Sequence, residues 1–189
     1  MRVGFWRLYD ALRSRHIVPT LAINGIVCRS YEPVARAARD AGWEFMGHGF
    51  VQGPMHALPD QRQAIADTVA AIRDFTGRAP VGWESPGLTE TAETIDHLAE
   101  AGIRYVADWV FDDQPVWIPT AHGPVVSVPY TVEVNDIPMM LLQSHGSAEL
   151  YERGVAQLER LWTESADIPR VMAISVHPYI TGVPHRIGH

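Results

Sequence analysis

Lysine is absent from the 189 residues, and cysteine occurs once. All fifteen positive charges are arginine, set against 22 acidic residues, for a formal net charge of −7. A surface of that sign disfavours a general nucleic-acid or anionic-membrane partner, which needs clustered Lys and Arg. The lone Cys28 excludes an intramolecular disulfide and a cysteine-rich zinc site, and is expected as a buried structural thiol. Long apolar runs are missing too; no stretch approaches the ~20 residues that span a bilayer. The amino terminus shows no charged segment leading into an apolar run, so no secretory leader is expected and cytoplasm is the expected location. There is no glycine-rich phosphate loop, no Gly-x-Ser-x-Gly elbow and no His-Glu-x-x-His helix, which removes the common nucleotide, serine-hydrolase and zinc-protease signatures.

What is present reads as an ordinary globular protein, 47% hydrophobic and 20% charged, long enough for one domain over 1–189. Helical and extended patterns alternate. Gly4 to Arg15 places Phe5, Trp6, Tyr9 and Leu12 at helical spacing. A strand is expected over Val18 to Ile23, a helix over Glu32 to Ala41, and a strand over Trp43 to Gly47. The clearest helix is Gln61 to Thr76, with Ile65, Val69 and Ile72 on one face and Gly77 as its stop. A short strand at Val81 to Glu84 precedes a helix from an N-cap at Thr89 to about Ala101. Further strands are expected at Ile103 to Asp108, Val125 to Val128, Met139 to Gln143 and Arg170 to Val176, with a helix over Ala148 to Thr163. About seven short, nearly all-apolar strands between helices imply a parallel sheet covered on both faces, and favour a (β/α) barrel or a distorted version of one.

The carboxyl ends of such strands are where chemistry is done. His48 and His177 each close an apolar run at such a point. His48 stands between Gly47 and Gly49, which permit a sharp turn and close approach of a ligand. His177 precedes Pro178 and has the reach of a general acid or base near neutral pH. Glu84 ends a strand as a candidate base, anchor or charge partner. Asp108 ends another, and Asp112 and Asp113 follow it; one of these three is expected to orient a histidine. Trp83 and Trp109 are candidate stacking surfaces for a substrate ring, with core packing as the other reading. His145 and His185 complete the candidate substrate contacts, in loops that a ligand can reach.

Four stretches resemble the polysaccharide deacetylase (NodB-homology) family, closest to its cytoplasmic allantoinase-like branch. They are Trp43-Glu44-Phe45-Met46-Gly47-His48-Gly49, then Gly82-Trp83-Glu84-Ser85-Pro86-Gly87-Leu88-Thr89-Glu90-Thr91, then Tyr105-Val106-Ala107-Asp108-Trp109, and Ser175-Val176-His177-Pro178-Tyr179. They fall in the family's order. The resemblance implies a distorted (β/α) barrel and hydrolysis of a carbon–nitrogen bond other than a peptide, within carbohydrate metabolism or on small amides. It implies catalytic roles for His177, His48 and Glu84, and a small amide or N-acetyl sugar as substrate. It also implies a homo-oligomer, with no nucleic-acid or membrane partner. Departures are as informative. Metal-dependent members carry a histidine pair four apart, and Gln52 occupies the second position here. Glu84 replaces the arginine that opens the motif before the proline. The family's first acidic motif, which carries the catalytic base, is not found. No metal ligand is therefore assigned, and a divalent ion such as zinc belongs to the alternative of an N-acetyl sugar deacetylase. A non-catalytic binding module is the other alternative. The apolar strand at Val171 to Val176 has no following helix to cover it, and Val18 to Ile23 lacks the neighbour that a closed barrel would supply. A barrel incomplete at both ends, as in a fragment, is the expectation.

Overall fold

A computed structural model describes residues 3–189. They form two compact units. One consists of Val18–Trp109 and Pro115–Val128; the other contains the residues up to Ile17, Val110–Gln114 and Pro129–His189.

The first unit is built on a six-stranded sheet. Its strands are β1 (Thr20–Ile23), β2 (Glu44–Gly47), β3 (Gly82–Trp83), β4 (Tyr105–Val106), β5 (Val116–Ile118) and β6 (Val125–Ser127), in the order β1-β2-β3-β4-β6-β5. All neighbours are parallel except β5, which runs antiparallel to β6. The architecture is mixed α/β with a parallel sheet, and among the described residues the sheet is not closed. Between the strands lie α2 (Val27–Ser30), α3 (Glu32–Asp40), α4 (Gln61–Thr76) and α5 (Thr94–Glu100). The α4 helix follows its sequence rules at both ends. The Asp60 side chain accepts from the Gln63 N–H at 2.9 Å, and Gly77 exits at φ +80°, where a β-carbon is strained. Its Ile65 and Ile72 are fully buried. One core gathers Met55, Ile65, Trp83, Ile95, Leu98, Ile103, Val106 and Val125; a second gathers Ile23, Cys28, Ala35, Ala38, Phe45 and Ile72. Cys28 is the buried thiol expected, and burial pushes its pKa up.

Two glycines set how closely the strands pack. A β-carbon on Gly47 would stand 2.4 Å from the Trp83 ring, and one on Gly82 would stand 2.1 Å from the Tyr105 ring. Tyr105 therefore lies across Gly82 and donates from its hydroxyl to Glu44 on β2 at 2.7 Å. Thr20 on β1 donates to the same carboxylate at 2.8 Å. Burial and this carboxylate raise the Tyr105 pKa.

The second unit contains α1 (Gly4–Ser14), a π-helical turn (Ile137–Leu142) and α6 (Ser147–Glu164). Met139, Met140 and Ile180 form its small core. Close backbone approach fixes the loop after residue 177: a β-carbon on Gly182 would lie 2.4 Å from the carbonyl oxygens of both Gly4 and Pro178.

Several expectations are corrected. Met139 to Gln143 is no strand. Pro138 presets a helical φ, and the Gln143 N–H reaches back five residues to the Pro138 carbonyl at 2.9 Å. A short apolar run carries no period that separates strand from helix. Arg170 to Val176 forms only one parallel bridge, Asn135 with Ser175, and its Val171 N–H goes instead to the Asp113 carbonyl at 3.1 Å. The helix expected from Thr89 starts at Thr94, since the Thr89 hydroxyl is bonded to the Met55 N–H and the Pro86 carbonyl. β5 and the short α2 lie in stretches to which the sequence pattern assigns no element.

Candidate functional site

In the sheet unit the chemistry gathers at the carboxyl ends of β1 to β4. The chain leaves β2 through His48, whose backbone N–H donates to the Ile23 carbonyl at 3.2 Å. The Asn24 amide, just beyond β1, donates to the His48 carbonyl. Gly49 at φ +72° then turns the chain, and a β-carbon there would press on Pro86 at 3.2 Å. The His48 ring is half-buried, with Nδ1 2.7 Å from the Glu84 carbonyl oxygen. A carbonyl only accepts, so Nδ1 carries the proton and Nε2 is the basic nitrogen.

Glu84 leaves β3 with its N–H bonded to the Gly47 carbonyl at 3.0 Å. The turn after it is braced from β4. Both Asp108 oxygens bind Ser85: one accepts its backbone N–H, the other its hydroxyl at 2.9 Å. Trp83 Nε1 in turn donates to that hydroxyl at 3.1 Å. Asp108 is only 2% exposed. Burial raises its pKa from 3.8 to about 7, against the lowering effect of the two Ser85 bonds and with a further upward push from Glu90. Burial likewise raises Glu90. Trp83 and Asp108, Ser85, Glu84 and His48 thus form one connected line across three strand ends.

In the second unit, His177 is bound to Asp136. The two are 41 residues apart in sequence, with Nδ1 to Oδ1 at 2.6 Å. Asp136 is fully buried. Its other oxygen accepts the His177 backbone N–H at 2.7 Å and the Thr181 hydroxyl at 2.6 Å. The carboxylate fixes the tautomer, leaving Nε2 to give or take a proton on a side chain 31% exposed. Tyr179 packs edge-on against the ring, 5.7 Å between centroids.

Of the candidate residues, His48, Glu84 and Asp108 share the sheet rim, with Trp109 half-buried beside the core. Trp83 is wholly buried in that core and offers no ring face to a ligand, which settles its two readings in favour of packing. The histidine-orienting acid is Asp136, not Asp108, Asp112 or Asp113; Asp108 is committed to Ser85. His145 lies in the second unit, where its Nε2 accepts from Arg153 at 3.2 Å. His185 is exposed on the loop after His177. Asn24, Ser85 and Asp136 were not singled out from the sequence. Asn24 stands directly after a strand, a signal that was there to use; Asp136 lies beside a run misread as a strand and carries none.

Among the described residues no three His, Cys, Asp or Glu side chains converge as a ligand set. Gln52, at the position of a second histidine, is exposed. The residues present do not fit a metal centre of the family's type.

The histidine and carboxylate groups stand on the rim of a mostly parallel α/β sheet, and comparison with known proteins gives the family. The polysaccharide deacetylase family model matches residues 2–106, and the chain belongs to that family. It is 24% identical to a peptidoglycan deacetylase of Helicobacter pylori (strain ATCC 700392 / 26695), over 98% of this chain and 62% of that protein. In fold it is similar to Puue allantoinase, with TM-score 0.90 and 24% identity over 99% of this chain and 63% of the other. It is similar also to a probable polysaccharide deacetylase from Pseudomonas aeruginosa PAO1, with TM-score 0.89 and 26% identity over 99% of this chain and 64% of the other. The chain spans less than two thirds of the length of each. Among the described residues no helix is long and apolar enough to cross a membrane.

Proposed function

We propose that this chain contributes the catalytic domain of a hydrolase acting on carbon–nitrogen bonds other than peptide bonds, with both units belonging to that one domain. The observation that carries the reading is the buried Asp136 holding His177 in a single tautomer, in a chain of the deacetylase family. In this reading His177 Nε2 delivers a proton to the leaving nitrogen as the tetrahedral intermediate collapses. Asp136 carries the charge opposite to the imidazolium from which that proton comes. His48 Nε2 and the Glu84 carboxylate hold the attacking water or the substrate amide. Asp108 acts through Ser85 on the turn that carries Glu84, and so is a positioning residue rather than a contact. Trp109, His145 and His185 remain proposed substrate contacts. No described residue is assigned as the base that activates water.

The substrate class is a small amide. A cyclic ureide follows the allantoinase similarity, and an N-acetyl sugar follows the peptidoglycan deacetylase similarity. The single, buried Cys28 favours a reducing, cytoplasmic compartment, and a homo-oligomer is the proposed assembly. The test is turnover by the purified chain of allantoin and of N-acetylated glucosamine oligomers. Hydrolysis of either, abolished by His177→Ala with the far-UV spectrum unchanged, supports the assignment; near-normal rates in that variant overturn it.

A second reading, a binding module without chemistry, is favoured by one observation: the family's ligand set is not assembled among the described residues. Saturable binding of an N-acetylated oligomer with no release of acetate, unchanged by His177→Ala, would select it.

A further inference from the structure

The loop that follows His177 is closed by the helix that opens the chain. Inside the loop, the Ile180 and Thr181 N–H groups both donate to the His177 carbonyl at 2.9 Å. Ile180 is fully buried in the core with Met139 and Met140. Thr181 turns its hydroxyl onto the buried Asp136, 2.6 Å away, and shares one carboxylate oxygen there with the His177 N–H. The next residue is pinned from α1. The Arg7 guanidinium donates to the Gly182 carbonyl at 3.0 Å, across 175 positions of sequence. Gly182 has no room for a side chain, because the Gly4 and Pro178 carbonyl oxygens would each stand 2.4 Å from its β-carbon.

The Arg7 charge is committed to no carboxylate, since Arg7 forms no ion pair among the described residues. Its bond to a carbonyl is charge-assisted and so stronger than one between neutral groups. At the other end of the relay, a carboxylate keeps one orientation while donors occupy its acceptor sites. Asp136 uses Oδ2 for two donors and thereby keeps Oδ1 on His177 Nδ1. One of those two donors, the Thr181 hydroxyl, stays in place only while the loop does.

We propose that Arg7 is a positioning residue for His177, acting through Gly182 and Thr181. The guanidinium clamps the loop on α1, the clamped loop sets the Thr181 hydroxyl on Asp136, and the filled carboxylate aims His177 Nε2. The inference rests on His177 as the proton donor of the proposed reaction, but the clamp exists without substrate. Arg7 and Thr181 act on the histidine and not on the substrate, so their loss should lower kcat and spare KM.

The test reads the His177 Nδ1 proton by NMR in the purified chain without substrate. Shared with a carboxylate at 2.6 Å, it should give a resolved line far downfield, assigned by its absence in His177→Ala. In Arg7→Met and in Thr181→Val this proton should exchange with water at least about tenfold faster. Arg7→Lys and Thr181→Ser, which keep a donor, should restore most of the protection. Gly182→Ala keeps both donors but forces the loop off α1, and should match Arg7→Met. Arg13→Met, at an exposed arginine on the same helix, should change nothing. With substrate, kcat should fall about tenfold in Thr181→Val and about threefold in Arg7→Met, with KM held within about twofold. Unchanged exchange in Arg7→Met, with the far-UV spectrum intact, overturns the proposal. If that variant does not fold, unchanged exchange in Gly182→Ala overturns it instead. Faster exchange with kcat unaltered would refute His177 as the proton donor and leave the clamp standing.

Discussion

His48 in the sheet unit leans on a main-chain carbonyl, whereas His177 in the second unit leans on a buried carboxylate. Both bonds fix the same tautomer, with the proton on Nδ1. They differ in what happens when Nε2 takes up the ring's second proton. At Nδ1 the His48 ring faces the Glu84 carbonyl dipole, while that of His177 faces the Asp136 carboxylate. The first arrangement suits a neutral imidazole that orients a ligand. The second suits one that cycles between imidazole and imidazolium. Two histidines that look alike at strand ends are thus separated by their partners rather than by their own positions.

Breaking the carboxylate partnership should have the largest effects. His177→Ala should cut turnover about 10²- to 10⁴-fold with the far-UV spectrum unchanged, the range for loss of a positioned acid or base. His48→Ala should instead raise KM more than it lowers kcat; an equal fall in kcat for both variants would erase the distinction. Asp136→Ala leaves three donors without their buried acceptor and should cost about 3 kcal/mol or more in urea unfolding. Ser85→Ala, which removes the hydroxyl bonded to both Asp108 and Trp83 but leaves the backbone N–H on Asp108, should cost less, about 1–2 kcal/mol.

Packing on the sheet side is tested by Gly47→Ala. The new methyl meets the fully buried Trp83, so about 1–3 kcal/mol of destabilisation is expected by thermal unfolding. Asp108 gives the sheet unit a pH signature of its own. Its folded pKa of about 7 lies above the ordinary 3.8, so the folded state holds the proton more tightly. Stability should therefore fall as pH rises from about 4 to about 7, by at most about 1.4 kcal/mol per pH unit. Asp108→Asn should flatten that slope, and an unchanged slope would show that the carboxyl titrates normally. The smallest effect is expected at Arg36→Ala, which removes an exposed ion pair with Glu32 and should change unfolding free energy by under about 0.5 kcal/mol.

The long helices were legible because capping and period are local. Asp60, the apolar stripe of α4 and Gly77 are all within one short window, and the helix bounds agree with the pattern. The strand ends bearing His48, Glu84 and Asp108 were legible for the same reason: a parallel strand buried on both faces reads as a short apolar run closed by a polar residue. The run 137–142 was not, since apolar content alone fits a strand and a π-helical turn equally. Asp136 was hidden by distance, because nothing near residue 136 in the chain refers to residue 177.

By itself, then, the amino-acid order determined the alternation of helices and strands, the family and the two histidines, since these rest on local spacing and on short motifs. Only the tertiary structure decided that Asp136 holds His177, that Asp108 serves Ser85, and that Trp83 is core. Each of those depends on which buried donor meets which acceptor. A buried polar group is satisfied by whatever the fold brings within 3 Å, and chain position does not specify that partner.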